Sequence, residues 1–474
     1  MQTAEKARAR GGSFFIRDGK FYAGLAALAL PVAAQNIITY AVQLADNVMV
    51  GSLGETALSG VYLASQISTF LHMFTMGTAA AMTVLASQYW GKGDTKSVKT
   101  IVGIALRACT FVSLLLWAAV FFFPAQILSL FGGEPAVIEM GVRYIRVLSF
   151  SYVFFCMTNV LIASMRCVKV ARAGLYTSLV AFVTNVFLNW VLIFGKLGFP
   201  ALGVVGAALA TLISRIAEFC VILTFVLKVD DRLKIRIPEL FARDRDLARD
   251  FLRYGTPVIL GDVFWGVNLM FQGGIVGRLG EASISAISIA NTVYQVISVG
   301  IFGMREASAV TVGAAVGALG DESDTEGYDN LHRLVRTLQV IFLGMGILTS
   351  AVLFVLRDFI LMLYPNLDAE TLAAAKSVLT VMCVWVVGTA YQMSTLTGIV
   401  RAGGSTKFVL INDLIFVWCV VIPSSAIAAF VFKAPVWVVY ACLKCDQILK
   451  CIVAVVKVNR WNWMVKLTAT KAKA

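Results

Sequence analysis

Apolar residues gather in twelve long stretches along the chain, separated by short segments that carry charge, Gly or Pro. They cover 22–49, 57–86, 99–123, 138–163, 173–195, 202–227, 255–278, 284–316, 334–356, 373–399, 407–432 and 435–457. A hydrocarbon core about 30 Å thick needs roughly 20 apolar residues of α-helix, and every stretch meets that length. The pattern predicts an all-α integral membrane protein with twelve transmembrane helices. The first stretch follows basic residues up to Lys20, as a secretory signal would. It stays apolar to Val50, too long for a cleaved signal core, and is therefore read as a helix.

Composition agrees. The 474 residues would suffice for several soluble domains, but 59% are hydrophobic, only 14% are charged and the mean hydropathy is +0.83. A soluble fold with so few polar side chains could not cover its surface. The formal charge of +13 comes from 40 Lys and Arg against 27 Asp and Glu, and its placement matters more than its size. Lys6, Arg8, Arg10, Arg17 and Lys20 precede the first stretch, and eight bases fill 228–253. Lys457, Arg460, Lys466, Lys471 and Lys473 end the chain, and the turns with Lys92, Lys96, Lys99 and Arg166, Lys169, Arg172 fall on the same side. The opposite loops carry Lys196, Arg278, Arg357, Lys376 and Lys433. The positive-inside rule then puts both termini and the central loop in the cytoplasm. The basic excess reads as orientation against anionic lipid, and no nucleic-acid partner is expected.

Shifting the sequence by 226 positions lays Val50-Gly51-Ser52-Leu53-Gly54-Glu55 on Val276-Gly277-Arg278-Leu279-Gly280-Glu281, and Pro31 on Pro257. Arg166 pairs with Arg401 at a slightly longer offset. The chain therefore reads as two related six-helix bundles in a parallel repeat, an architecture suited to alternating access with substrate held between the bundles. The expected segments are a cytoplasmic N-terminus (1–21), an N-lobe (22–227), a basic linker (228–254), a C-lobe (255–457) and a cytoplasmic tail (458–474).

Chemistry by bond breaking is poorly provided for. There are two His, His72 and His332, no zinc-protease motif and no Gly-x-Ser-x-Gly elbow, so an enzyme is not expected. The nine Cys lack zinc spacing; Cys109, Cys156, Cys220, Cys383, Cys419 and Cys442 are read as small buried apolar residues.

Several motifs in this order resemble the multidrug and toxic compound extrusion (MATE) transporters. They are Leu30-Pro31, Asp46-Asn47-Val48-Met49-Val50-Gly51, Gln88-Tyr89-Trp90-Gly91-Lys92-Gly93-Asp94, Asn185 with Asn189, Gly206-Ala207-Ala208-Leu209-Ala210-Thr211, and Arg401-Ala402-Gly403-Gly404. The resemblance implies a monomeric antiporter of the bacterial plasma (inner) membrane. It would export small organic, cationic compounds in exchange for Na⁺ or H⁺, with no cofactor beyond Na⁺ as a possible coupling ion. It also implies a cation site at Asp46 with Asn185, Asn189 and Thr211. Many family members carry a second Asp at the position of Asn189, so the site here has one formal charge instead of two.

Buried acids are functional candidates in their own right, because a carboxylate in a bilayer is costly. Asp46 lies about four turns past Pro31, with no base on its own helix. Asp262 sits near the inner third of the seventh stretch, a second substrate or cation contact. Arg305 and Glu306 are adjacent, about 100° apart on a helix, and are not expected to pair on one face. Arg215 with Glu218 and Asp446 with Lys450 have the spacing of intrahelical pairs, and Asp413 is read as structural. Glu306, Tyr40, Gln43, Met73, Trp265 and Gln272, with Phe70, Phe74, Phe271 and Met304, are candidates to line a substrate cavity, since soft flat side chains tolerate varied ligands. The rival reading is a flippase for a lipid-linked oligosaccharide, which would need several cationic side chains for pyrophosphate; Arg215, Arg305 and Lys444 are the mid-membrane bases available.

Overall fold

A computed structural model describes residues 14–132, 134–320, 323–364 and 367–468. Lys6, Arg8, Arg10, Lys471 and Lys473, assigned above to the cytoplasmic side, lie outside the described residues. Helices account for nearly all of the described chain, and one isolated bridge, Gly404 with Met464, is the β-type pairing found among these residues. This is the all-α class that the apolar pattern requires, because a backbone in lipid must satisfy its own hydrogen bonds.

The helices used below are α1 (Gly19–Gly51), α2 (Glu55–Gly91), α3 (Thr95–Phe122), α4 (Pro135–Leu148), α5 (Ser151–Cys167), α6 (Arg172–Phe194) and α7 (Val204–Thr224). They continue with α8 (Thr256–Val276), α9 (Glu281–Ile297), α10 (Val299–Ala318), α11 (Thr325–Met362), α12 (Ala369–Thr395), α13 (Thr406–Ile415), α14 (Val436–Leu443) and α15 (Asp446–Asn459). Ten helical runs among the described residues are long and apolar enough to cross a membrane, and α4 with α5, bent by 55°, makes an eleventh. Each of the twelve stretches is helical, but three are interrupted: at Ser149 and Phe150, at Ser298, and at Lys444 and Cys445. The last break leaves helices of 8 and 14 residues, each too short to span alone. Wider π-type turns continue α7, α12 and α13, at Phe225–Val229, Leu396–Val400 and Phe416–Val421. The last of these lies just before Pro423, which has no N–H to give to the helical ladder.

The chain divides into two compact units. One holds Pro31–Ala86 and Thr95–Val263; the other holds Met1–Leu30, Ser87–Asp94 and Phe264–Ala474. Within the first, α6 and α7 form a tight hairpin: Gly195, at φ 66, turns the chain and Leu202 N–H closes on Leu192 O at 2.9 Å. The basic linker is docked on α3. Lys99 pairs with Glu239 at 2.9 Å, and Arg107 donates to the carbonyl of Ala242 at 3.1 Å.

In the second unit the last turn of α2, α10 and the chain end meet through small residues. A Cβ on Gly317 would collide with the backbone of Gln88, and one on Gly91 with the carbonyl of Ala314. The fully buried Gln88 then takes Leu467 N–H on its Oε1 at 2.9 Å and donates to Ala402 O at 3.2 Å. Lys466 caps the carbonyls of Leu319 and Gly320 beyond α10 at 2.6 and 2.8 Å. Trp463, with no exposed surface, lies against Gly403 and donates to Val458 O at 3.0 Å. The tail 461–468 is thus a strap over helix ends rather than a loose extension.

Replacing Gly317 by Val is expected to cost about 1–3 kcal/mol or more by overpacking, read as a lower thermal midpoint in detergent. Gly24→Val, where a Cβ meets nothing within 4 Å, should leave the midpoint unchanged.

Candidate functional site

Asp46 sits one and a half turns from the end of α1. Four residues separate Asn185 from Asn189 on α6, which puts both amides on one face. The glycine- and alanine-lined start of α7 lets it approach α6: a Cβ at Gly206 would meet the backbone of Leu192. Thr211 is thereby brought beside Asn185. The four residues form one connected chain. Asn189 Nδ2 donates to Asp46 Oδ1 at 2.5 Å and to Asn185 Oδ1 at 3.1 Å; Asn185 Nδ2 donates to Thr211 Oγ1 at 3.4 Å. Thr211 Oγ1 donates in turn to Ala207 O at 3.0 Å.

Asn189 and Asn185 are 0% and 1% exposed, so their amides have no recourse to bulk water. Yet Asn189 Oδ1 is buried with no hydrogen-bond partner. A buried carbonyl oxygen without a donor is costly, and here it lies on the residue that holds the Asp46 carboxylate. Oxygens of a carboxylate, amides and a hydroxyl are the donor set preferred by a hard monovalent cation. The residues present therefore fit Na⁺, and Asp46 by itself fits a proton.

Two neighbours of this cluster were not found from the sequence. Arg215 acts electrostatically on Asp46, and the Tyr144 hydroxyl of α4 reaches Thr211. Arg215 had a signal, since it lies one turn after Thr211 on the same face of α7. Tyr144 had none, because only packing decides which face of α4 meets α7. Arg215 also pairs with Glu218 at 2.8 Å, as the spacing suggested, and lies 4.9 Å over the Phe155 ring.

The cavity candidates are divided between the two units. Tyr40, Gln43, Met73 and Asp262 belong to one unit, Trp265, Gln272 and Glu306 to the other. Asp262 lies against Gly77, whose missing side chain makes room for it. Gln272 donates to Asn268 Oδ1 at 3.1 Å, a buried polar pair on α8. Arg305 and Glu306 do pair, at 2.6 Å, contrary to the expectation from their angular offset. The guanidinium stem is long enough to fold back across the 100° between neighbours. Lys450 pairs with Asp446 at 3.0 Å as expected, but it also reaches Asp413 at 2.8 Å on another helix. Cys220 and Cys419 are exposed and Cys442 is half-buried, whereas the sequence predicts all three buried; all nine Cys are free thiols.

Asn189→Leu should destabilise the protein by about 1.5–3 kcal/mol, the worth of a hydrogen bond to a charged group, seen as a drop in thermal midpoint near neutral pH. Adding Asp46→Asn to Asn189→Leu should recover part of that loss, because the buried group no longer carries charge.

Comparison with known proteins shows what the chain as a whole is similar to. The MatE family model matches residues 31–191 and again 257–427, so the two halves answer to one description. The probable multidrug resistance protein YoeA of Bacillus subtilis is 25% identical over 418 residues, covering 87% of this chain and 88% of its own. The probable multidrug resistance protein NorM of Agrobacterium fabrum is 26% identical over 433 residues, with 88% of each chain covered. Among solved structures, a MATE in the bent conformation superposes with a TM-score of 0.82 at 19% identity, covering 95% of this chain and 96% of the other. The eukaryotic MATE transporter AtDTX14 gives 0.80 at 20% identity, covering 95% and 98%. The chain belongs to the MATE family of multi-pass membrane transporters.

Proposed function

We propose that the protein is a secondary antiporter that exports small organic cations in exchange for Na⁺ or H⁺ across a bacterial inner membrane, with both termini in the cytoplasm. The observation that carries the reading is the partnerless Oδ1 of Asn189 beside the Asp46 carboxylate. A cation at Asp46 would take that oxygen as a ligand and neutralise the one acid of the cluster. Exchange then follows from competition: ion binding at Asp46 weakens binding of a cationic substrate, and by reciprocity substrate weakens the ion by the same factor.

The flippase reading is less well supported. Arg215 and Arg305, two of the three mid-membrane bases it needs, already spend their charge on Glu218 and Glu306.

The test is uptake of a fluorescent cationic dye by inverted vesicles, with Na⁺ and proton gradients imposed separately. One of the two gradients should drive accumulation, and Asp46→Asn should lower the driven rate at least tenfold. Wild-type rates in Asp46→Asn would overturn the assignment, and no response to either gradient would overturn the antiporter. Asn189→Asp should strengthen Na⁺ binding, because a second carboxylate then faces the ion; the half-maximal Na⁺ concentration for thermal stabilisation should fall about tenfold.

A further inference from the structure

The basic linker takes no part in the exchange at Asp46, yet it is folded rather than loose. Asp230 caps its first turn through the N–H groups of Leu233 at 2.8 Å and Lys234 at 3.2 Å, and Asp244 caps a later one through Asp246 at 3.1 Å and Leu247 at 3.0 Å. Arg232 is tied to the carbonyls of Val168 and Lys169 at 2.7 and 3.2 Å. Leu233, Ile235, Leu247 and Phe251 are buried. Within this ordered segment Ile237 and Phe241 nevertheless stand 54% and 67% exposed. The strap at the chain end does the opposite and keeps Trp463 and Leu467 inside.

Helix α3 fixes the level at which these two side chains lie. Its 28 residues rise about 42 Å, more than the roughly 30 Å of a hydrocarbon core. The end away from the linker is apolar, with Phe121 and Phe122 both exposed. About 20 residues counted back from Phe122 bring the other boundary of the core to Gly103. A Cβ on Gly103 would collide with the carbonyl of Leu240, so the linker backbone rests against α3 at that boundary. Arg107, one turn deeper, donates to the carbonyls of Phe241 and Ala242 at 3.4 and 3.1 Å, reaching back as a long cationic side chain at a membrane edge does.

The charges at this level do not cancel. Lys99, Arg107 and residues 228–253 together hold ten bases and six acids, a net charge of +4. Glu239 is taken by Lys99 at 2.9 Å, and Asp230 and Asp244 by the backbone caps. Arg107 has two carbonyls as its acceptors among the described residues, which leaves its charge unneutralised. Arg243, two residues after Phe241, is exposed.

We infer that residues 237–243 with Arg107 form an interfacial site for an anionic phospholipid. Ile237 and Phe241 enter the apolar edge of the leaflet, and Arg107 and Arg243 hold the headgroup phosphate. Neither part suffices alone. Two apolar side chains do not choose between headgroups, and two bases do not select a lipid over a soluble anion. Side by side at the core boundary, they recognise a molecule that carries a phosphate at the end of acyl chains. The site does not depend on the ion exchanged at Asp46.

The test is the thermal midpoint of the purified full-length protein in neutral detergent, titrated with phosphatidylglycerol or with phosphatidylcholine. Half-maximal stabilisation should need several-fold less phosphatidylglycerol than phosphatidylcholine. Arg107→Gln and Arg243→Gln should each raise the phosphatidylglycerol concentration about fivefold, the effect of one base near an anionic surface, and leave the response to phosphatidylcholine unchanged. Phe241→Ser should weaken both lipids about tenfold, because apolar contact is lost. Lys196→Gln, which deletes an exposed base of another loop, should change neither. If Arg107→Gln does not fold, the exposed Arg243→Gln carries the charge arm. The inference is overturned by equal responses to the two lipids, by an unchanged phosphatidylglycerol response in Arg243→Gln or in Phe241→Ser, or by an equal loss in Lys196→Gln. Stabilisation by inorganic phosphate to the same extent would also overturn it, since the site would then be one for a soluble anion.

Discussion

A charge placed where water is scarce must find its partner inside the protein, and that requirement organises this molecule. The fold is built from helices because a helix settles its own backbone hydrogen bonds. What remains unsettled is a short set of side chains, and each is drawn to a particular neighbour. Asp46 is held by Asn189, Arg215 by Glu218, Arg305 by Glu306, and Lys450 by two aspartates at once. At Asn189 Oδ1 the satisfaction is incomplete, and an acceptor is left open beside the carboxylate.

The two halves meet this requirement with different chemistry on a common plan. In the first, amides and a hydroxyl surround a single acid and leave an acceptor open. In the second, the repeat position of Thr211 carries Asp446 and that of Arg215 carries Lys450, so a tethered cation stands among acids. Duplication preserved the helices and the glycine turns while the polar residues diverged. This is why the family model recognises both halves although their charges do not correspond.

Close approach makes these partnerships possible. Gly206 lets α7 press on α6 and bring Thr211 to Asn185. Gly317 and Gly91 let α10 and the last turn of α2 meet, and Gln88 then gathers the chain end by hydrogen bonds to Ala402 and Leu467. In a membrane, where lipid competes equally for apolar side chains, small residues and interhelical hydrogen bonds are the means of association.

The twelve apolar stretches, the duplication and the roll of buried polar residues were all legible in the sequence, because length, hydropathy and identity at a fixed offset are properties of a chain read in one dimension. So were Arg215 with Glu218 and Asp446 with Lys450, whose spacing fixes them on one helical face. The tertiary structure alone decided that Lys450 also reaches Asp413, that Tyr144 approaches Thr211, that residues 461–468 fold into a strap, and that three stretches are broken. Those outcomes depend on which helix faces which and on how far a long side chain folds back. Spacing along one helix constrains neither, since every apolar face in a bilayer can be covered by lipid as well as by protein.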